Sequence, residues 1–412
     1  MGSLAIIMSI LPGRSGTGKD AIFNGTVEDI AAALNVSDGL IIVLGQPHPR
    51  PEWTYRCGAN WRVIEIQAPS PFAAVAFILR CFLSGRKATL SQALFLSQGV
   101  TRRINKTLDE TNCTLAVFDT IRTFDALIAP TARRVVFFDD LFSERFRERV
   151  RDPGLGTQGV LGRYAGTSPL WSRLVRPSWL GRWAMMVESY LCRDKEAYVA
   201  KHASASVLLN ENEQARLAER SGAEIYSYIP RLGSHAAAQR SPGGAGYWLF
   251  VGAMDYPPNV DAMNWLIESI LPAYRAAGGR LPLRVVGRHC PQQLIEKIKG
   301  CGGEYLGFVE DLASQYADAS GVLMPVVSGA GVKIKSLEAL SFGCRTIGTP
   351  RAYDGLGALP PGAVHAETAA AFVAAMLQAE ESDAGEAGDV SVRWFEAKFG
   401  PERLNRLRSI LE

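Results

Sequence analysis

Pro325-Val326-Val327-Ser328-Gly329-Ala330-Gly331-Val332-Lys333-Ile334-Lys335-Ser336-Leu337-Glu338-Ala339-Leu340-Ser341-Phe342-Gly343-Cys344 holds a strand end, a loop and a helix in a single run. The apolar run Gly321–Pro325 reads as a strand. Ser328–Gly331 is a flexible glycine loop, and Ile334–Phe342 has a helical pattern. A loop that feeds a helix leaves free amides at its end, and the helix dipole adds to their pull on an anion. Lys333 and Lys335 place two cations beside it. Glu338 lies three residues beyond Lys335, on the same helical face. A carboxylate next to a phosphate site suits a ribose diol, because it accepts two hydroxyl hydrogens.

The same alternation extends in both directions. Strand-like runs before the chain's midpoint are Leu4–Leu11, Leu40–Leu44, Arg62–Ile66, Leu115–Phe118, Val135–Phe138, Ser206–Leu209 and Ile225–Ile229. Beyond it come Trp248–Val251, Leu283–Val286, Glu304–Phe308, Gly321–Pro325 and Arg345–Gly348. Helical patterns fall between them, among them Val260–Ala276, Pro291–Gly300 and Asp311–Ala317. Apolar strands alternating with helices predict parallel sheets covered on both faces. Small residues, Pro and Gly mark 233–247 as a linker. The expected fold is therefore α/β, two Rossmann-like parallel-sheet domains facing a central cleft. Residues 1–232 and 248–392 form the domains, and 393–412 is a final helix. In such sheets ligands sit at the carboxyl ends of the strands.

Composition narrows the classes. The chain has 412 residues, 47% hydrophobic and 21% charged, which describes a globular protein with a core. A net charge of +3 is too small for a nucleic-acid binder. Residues 1–232 hold 28 Lys+Arg and 22 Asp+Glu, and the remainder 16 and 19, so the balance shifts from +6 to −3. The seven cysteines stand alone, without a CxxC pair or Cys/His cluster, so neither a zinc site nor a disulfide framework is indicated. Free thiols fit a cytoplasmic setting. Leu4–Leu11 lacks the basic flank and cleavage site of a signal peptide, and Phe72–Leu83 is too short to span a bilayer. Gly13-Arg14-Ser15-Gly16-Thr17-Gly18-Lys19-Asp20 nearly matches a P-loop, but Asp20 stands where a hydroxyl is needed to hold magnesium. It reads instead as a glycine turn whose backbone can approach a phosphate or sugar.

Three further motifs follow in order: Phe250-Val251-Gly252-Ala253-Met254-Asp255-Tyr256-Pro257-Pro258-Asn259-Val260-Asp261, then Gly307-Phe308-Val309-Glu310-Asp311, then Gly329–Gly343 with Thr349–Leu356. Over residues 248–360 this resembles the donor domain of a GT-B glycosyltransferase of the retaining GT4 group, in its bacterial polysaccharide-type subgroup. Leu115–Asp119 and Phe137–Arg145 resemble the acceptor domain. The resemblance implies a nucleotide-diphosphate sugar as donor, with no cofactor and no metal. Lys333 and Lys335 would bind the diphosphate and Glu338 the ribose. Gly252, Asn259, Ser328, Gly329, Ala330, Gly331 and Val332 would line the donor site, and Phe308 and Val309 would lie near the base. Gly13 and Gly16 would close over the phosphates from the first domain, and the final helix would cross back to that domain.

Two positions depart from the family pattern. Ala330 stands where many members carry a sugar-contacting Glu. Met254–Asn259 replaces an Arg…Lys pair. Preorganised lysines and amides would stabilise the departing diphosphate. Asp119 sits where many members place a cleft-facing His; it would orient a sugar hydroxyl or act as a base, or else serve as a cap. The acceptor is a glycan, a lipid-linked glycan or a small molecule. Arg and Trp concentrate in residues 145–195, which together with Phe72–Leu83 suggests peripheral contact with the inner face of a membrane; an ordinary helical insertion is the other reading. Three other functions fit less well: a GT-B-fold nucleotide-sugar epimerase, a non-catalytic nucleotide-sugar-binding protein and a P-loop ATPase.

Overall fold

A computed structural model of the chain describes residues 3–9, 11, 18–45, 60–151, 178–230, 246–329, 331–360, 362–381 and 384–412. It divides into two compact units, Met1–Arg231 with Glu402–Glu412, and Leu232–Pro401. In the first unit, strands β1 (Ser3–Met8), β2 (Asp38–Leu44), β3 (Asn60–Ile66), β4 (Cys113–Asp119), β5 (Arg133–Phe137), β6 (Ala205–Leu208) and β7 (Ile225–Ser227) form one sheet. Its order is β3-β2-β1-β4-β5-β6-β7, with every neighbouring pair parallel. Its helices are α1 (Gly18–Leu34), α2 (Pro71–Leu83), α3 (Gln98–Glu110), α4 (Thr120–Thr123), α5 (Phe142–Arg151), α6 (Ser178–His202) and α7 (Glu211–Ser221).

The second unit has strands β8 (Trp248–Val251), β9 (Leu283–Val286), β10 (Gly303–Gly307), β11 (Gly321–Met324), β12 (Thr346–Gly348) and β13 (Ala363–His365). They run parallel in the order β10-β9-β8-β11-β12-β13. Its helices are α8 (Pro257–Trp265), α9 (Leu271–Ala276), α10 (Gln292–Gly300), α11 (Leu312–Asp318), α12 (Ile334–Ser341), α13 (Ala369–Glu381) and α14 (Ala384–Phe399). The chain then returns to the first unit as α15 (Glu402–Leu411).

Strand periodicity sorts the first unit's core into two layers. Ala5 and Ile7 of β1, with Leu40, Ile42, Ala116 and Phe118, face one layer. Ala74, Phe77 and Cys81 of α2 and Ile104 and Leu108 of α3 close it. The alternate residues Leu4, Ile6 and Met8 face the other layer. Val27 and Ile30 of α1 and Leu407, Ile410 and Leu411 of α15 cover that side. A buried polar knot holds α15 in place: Arg403 pairs with Asp29 at 2.5 Å, and the Tyr228 hydroxyl donates to Asp29 at 2.7 Å. Arg133 adds a bond to the Ile410 carbonyl. In the second unit Trp248, Phe250, Leu283 and Val285 pack under Met263, Tyr274, Ile298 and Phe372. The buried Trp248 indole N–H is satisfied by the Tyr274 hydroxyl at 3.0 Å.

The strand runs expected from sequence form strands in both sheets. β13 was not expected; its three residues lie at a sheet edge, where no apolar run is required. The expected helix Val260–Ala276 is instead α8, a π-helical turn at Leu266–Ile270, and α9. Pro272 supplies no N–H, and the ladder slips beside it. The last crossing begins at Glu402 rather than Arg393, because α14 stays on the second unit. There the Trp394 indole donates to the Ala358 carbonyl at 2.7 Å, and Lys398 donates to that of Leu356. Linker residues 233–245, most of the Gly13–Gly18 turn and residues 152–177 of the Arg/Trp-rich stretch lie outside the described residues.

Candidate active site

In each sheet the strand order reverses beside the strand that starts its unit. In the second sheet β8 has β9 on one side and β11 on the other. Loops leaving such a pair diverge and open a crevice at their carboxyl ends. The loop after β8 carries Gly252 and leads into α8 with Asn259, and the loop after β11 carries Ser328 to Lys333. Most of the expected donor residues therefore come from this one switch point, although they are far apart in sequence.

Side-chain contacts join them. Asn259, in α8, donates from Nδ2 to the Ala253 carbonyl at 2.9 Å. That bond fixes its amide, and its Oδ1 accepts from Lys335 Nζ at 2.8 Å. The Lys335 ammonium also lies 5.0 Å from the centre of the Phe250 ring. Burial, with the charge of Lys333 adding to it, pushes the Lys335 amine down to about 7. Lys333 caps the glycine loop, donating from Nζ to the Gly329 carbonyl at 2.9 Å and to that of Gly331. Both glycines take left-handed backbone, with φ of 94° and 77°, which other residues adopt at a cost. Arg351 reaches the Gly329 carbonyl at 3.4 Å.

Glu338 is half-buried on the first turns of α12, and the Tyr316 hydroxyl donates to its Oε2 at 3.4 Å. Burial pushes its carboxyl up to about 7, against the hydrogen bond from Tyr316. Ser328 donates to Asp261 at 3.4 Å, and Val332 is half-buried. After β10 the chain turns at Gly307, with φ of 72°, and presents Phe308, which is 59% exposed. Arg288 lies 5.4 Å from that ring's centre, and Val309 follows half-buried. Gly13, Gly16 and Ala330 lie outside the described residues.

Asp119 ends β4 in the first unit, where β1 and β4 form the corresponding switch point. It occupies the cap position of α4, but its side chain does not cap that helix. Its Oδ2 accepts from the Ser9 hydroxyl at 3.1 Å, at the end of β1. Thr120 beside it has φ of 65°, a strained value for a β-branched residue. Asp139 and Asp140 hold Arg145 in an ion-paired group after β5.

Several residues of the site were not anticipated. Gly287 directly follows β9, and a Cβ there would lie 1.8 Å from the Gly252 carbonyl oxygen, so the two strand ends approach backbone to backbone. A glycine directly after an apolar strand was the signal available, the same one that marked Gly252. Arg351 falls within the Thr349–Leu356 motif but was not singled out there, and Tyr316 and Arg288 gave no signal; only the fold brings them to the site.

Residues 245–381 match the family model of glycosyl transferases group 1. No curated protein matches the chain in sequence. Solved structures match along nearly its whole length. α,α-Trehalose 6-phosphate synthase of Burkholderia multivorans is 12% identical with a TM-score of 0.60, covering 100% of this chain and 98% of that one. A glycosyltransferase of Rickettsia africae is 11% identical with a TM-score of 0.61, covering 100% and 99%. HepE of Anabaena, solved with UDP-glucose, is 10% identical with a TM-score of 0.60, covering 98% of each. Likeness at this identity shows the fold, which is GT-B: two parallel-sheet α/β domains. The family match falls on the second domain, whose residues 245–381 resemble a group 1 glycosyltransferase.

Proposed function

We propose that the chain is a retaining, metal-independent transferase that takes a sugar from a nucleotide-diphosphate donor. The observation that carries this reading is the Asn259–Lys335 contact at the switch point, with Lys333 and the Gly329–Gly331 loop beside it. Breaking the sugar–phosphate bond sends its electron pair to the diphosphate and leaves positive charge on the ring. Lys333, Lys335 and the amides of α12 stabilise that growing negative charge with dipoles and cations already in place. The acceptor hydroxyl oxygen forms the new bond to the anomeric carbon on the face the diphosphate leaves. Its proton passes to a departing phosphate oxygen, so no side chain forms a covalent intermediate. Asp119, braced by Ser9, orients a hydroxyl from the first domain.

Glu338 accepts from the ribose diol, and Phe308 offers its exposed ring to the base, with Arg288 beside it. Uridine is the first base to test, because HepE is solved with UDP-glucose. The acceptor is a glycan, a lipid-linked glycan or a small molecule. The free thiols among the described residues accord with a cytoplasmic protein. The test is thermal unfolding with UDP-, GDP-, dTDP- and CMP-sugars, each with a chelator and without added metal. One nucleotide class at a hundred times its dissociation constant should stabilise the fold by about 2.7 kcal/mol. Lys335→Ala should remove that shift. A folded protein that no nucleotide sugar stabilises would overturn the reading.

A further inference from the structure

The first unit's α3 is an ordinary surface helix. It buries Val100, Ile104 and Leu108 and turns Arg102, Arg103 and Lys106 to solvent. α2 departs from that pattern. It buries Ala74, Phe77 and Cys81, yet its outward residues Phe72, Val75, Leu79, Phe82 and Leu83 are 89%, 50%, 57%, 82% and 83% exposed. Their spacing puts them along one helical face. Among the described residues, the helix thus has one apolar face for the core and a second that stays exposed. Contiguous exposed apolar surface of this kind marks a binding surface.

The charge around α2 identifies the partner. From Ile66 to Leu108 the chain holds six Lys and Arg and no Asp or Glu. Arg86 pairs with Asp125 at 2.9 Å, but Arg80 is exposed on α2 itself, donating to Gln98, and Lys87, four residues after its end, is exposed in a surface pair with Asp194 at 3.2 Å. A second copy of this chain would set that cationic stretch against itself, which like charges oppose. An anionic bilayer surface accepts both features: apolar side chains enter the acyl boundary while Lys and Arg meet the headgroups. α2 has 13 residues, too few to span the hydrocarbon core but enough to lie in the interface. A second outward row, Trp183, Met186 and Tyr190, runs along α6. Glu188 and Lys195 of that helix bind the backbone at Leu90, Ser91 and Lys87, just after α2. Trp and Tyr favour the headgroup level.

We propose that α2 seats the protein on an anionic lipid bilayer, its outward face in the interface and Arg80 and Lys87 on the headgroups. The seating does not depend on the donor-site reading. Narrowing the acceptor to a lipid-linked one does rest on that reading. The test sediments the full-length protein with vesicles of phosphatidylcholine plus phosphatidylglycerol, and with phosphatidylcholine alone. Binding is expected to the mixed vesicles, weakened by salt, and to be slight on phosphatidylcholine alone. Phe72→Ser with Phe82→Ser, both at exposed positions, should lower partitioning by about tenfold or more and leave the circular dichroism spectrum unchanged. Lys335→Ala should still sediment, so a failed donor site is told apart from a failed membrane site. Absence of binding to mixed vesicles, or equal binding by the double serine variant, overturns the proposal. So does a wild-type dimer in sedimentation velocity that the same variant splits.

Discussion

Lys335 carries its ammonium between an amide oxygen and an aromatic ring, with Lys333 adding like charge nearby. A folded-state value near 7 lies below the ordinary 10.5, so between these values the unfolded chain holds the extra proton. Stability from this group therefore rises as pH climbs through that window. Glu338 acts oppositely and lower down. Its carboxyl is raised from 4.5 to about 7, so its contribution to stability falls as pH rises across that range. Glu338→Gln should flatten the fall, as urea midpoints at a series of pH values would show. A bound diphosphate reverses the situation of Lys335, because it favours the protonated amine. Affinity for an intact nucleotide-diphosphate sugar should thus drop above pH 7, by up to about tenfold per unit if only the ammonium binds. Its phosphates do not titrate there but Glu338 does, so titration calorimetry at pH 6, 7 and 8 on Glu338→Gln, beside the wild type, isolates Lys335. Lys335→Arg in that background should bind more weakly at pH 7 but nearly independently of pH. A flat Glu338→Gln profile would remove Lys335 from the diphosphate site.

Elements place these groups, and the ends of β8 and β9 approach each other closely. A Cβ on Gly287 would meet the Gly252 carbonyl, and one on Gly252 would meet the Asn259 side chain at 2.9 Å. Gly287→Ala must push the two strand ends apart, at a cost of about 1–3 kcal/mol. Because Asn259 holds Lys335, donor affinity should fall as well. Unfolding by urea together with nucleotide-sugar binding checks both, and normal affinity in a destabilised protein would refute the link. The elements themselves were legible because buried parallel strands must be apolar throughout, and Trp248–Val251 or Leu283–Val286 can hardly be read otherwise. β13 and the π-helical turn escaped because a three-residue edge strand and a slipped hydrogen-bond ladder leave no periodic mark. Within the site, Lys333, Lys335 and Glu338 were legible because one helix and its cap position carry them at fixed spacing. The bracing groups were not. Asn259 stood out only through its motif; one of its bonds is local, to the Ala253 carbonyl, and the other comes from Lys335 on a helix distant in sequence. Tyr316 reaches Glu338 from α11, a contact that no local pattern encodes.

The whole chain has a discontinuous order: it builds most of one unit, then the other, and finally returns to complete the first. That return is not decorative. Leu407, Ile410 and Leu411 bury themselves on the sheet face that β1 shares with α1, and Arg403 meets Asp29 across 374 residues of sequence. Burying three such side chains is worth about 1.5–3 kcal/mol each. Removing one partner of a buried ion pair costs about 3–5 kcal/mol more. Together these are comparable to the whole stability of an ordinary domain, about 5–15 kcal/mol. Ending the chain at Pro401 should therefore unfold or severely loosen the first unit while the second, which owns none of these contacts, keeps its fold. Hydrogen exchange read by mass spectrometry separates the two. Protection should collapse across β1, β2 and β4 and persist across β8, β9 and β11. A milder variant tests the ion pair alone. Arg403→Met should lower the first unit's urea midpoint. Adding Asp29→Leu with Tyr228→Phe should recover most of the loss, since neither a buried carboxylate nor an unpaired buried hydroxyl is then left behind. Were the truncated chain to retain full protection in β1 and β4, the closing helix would be an attachment rather than part of that unit's core.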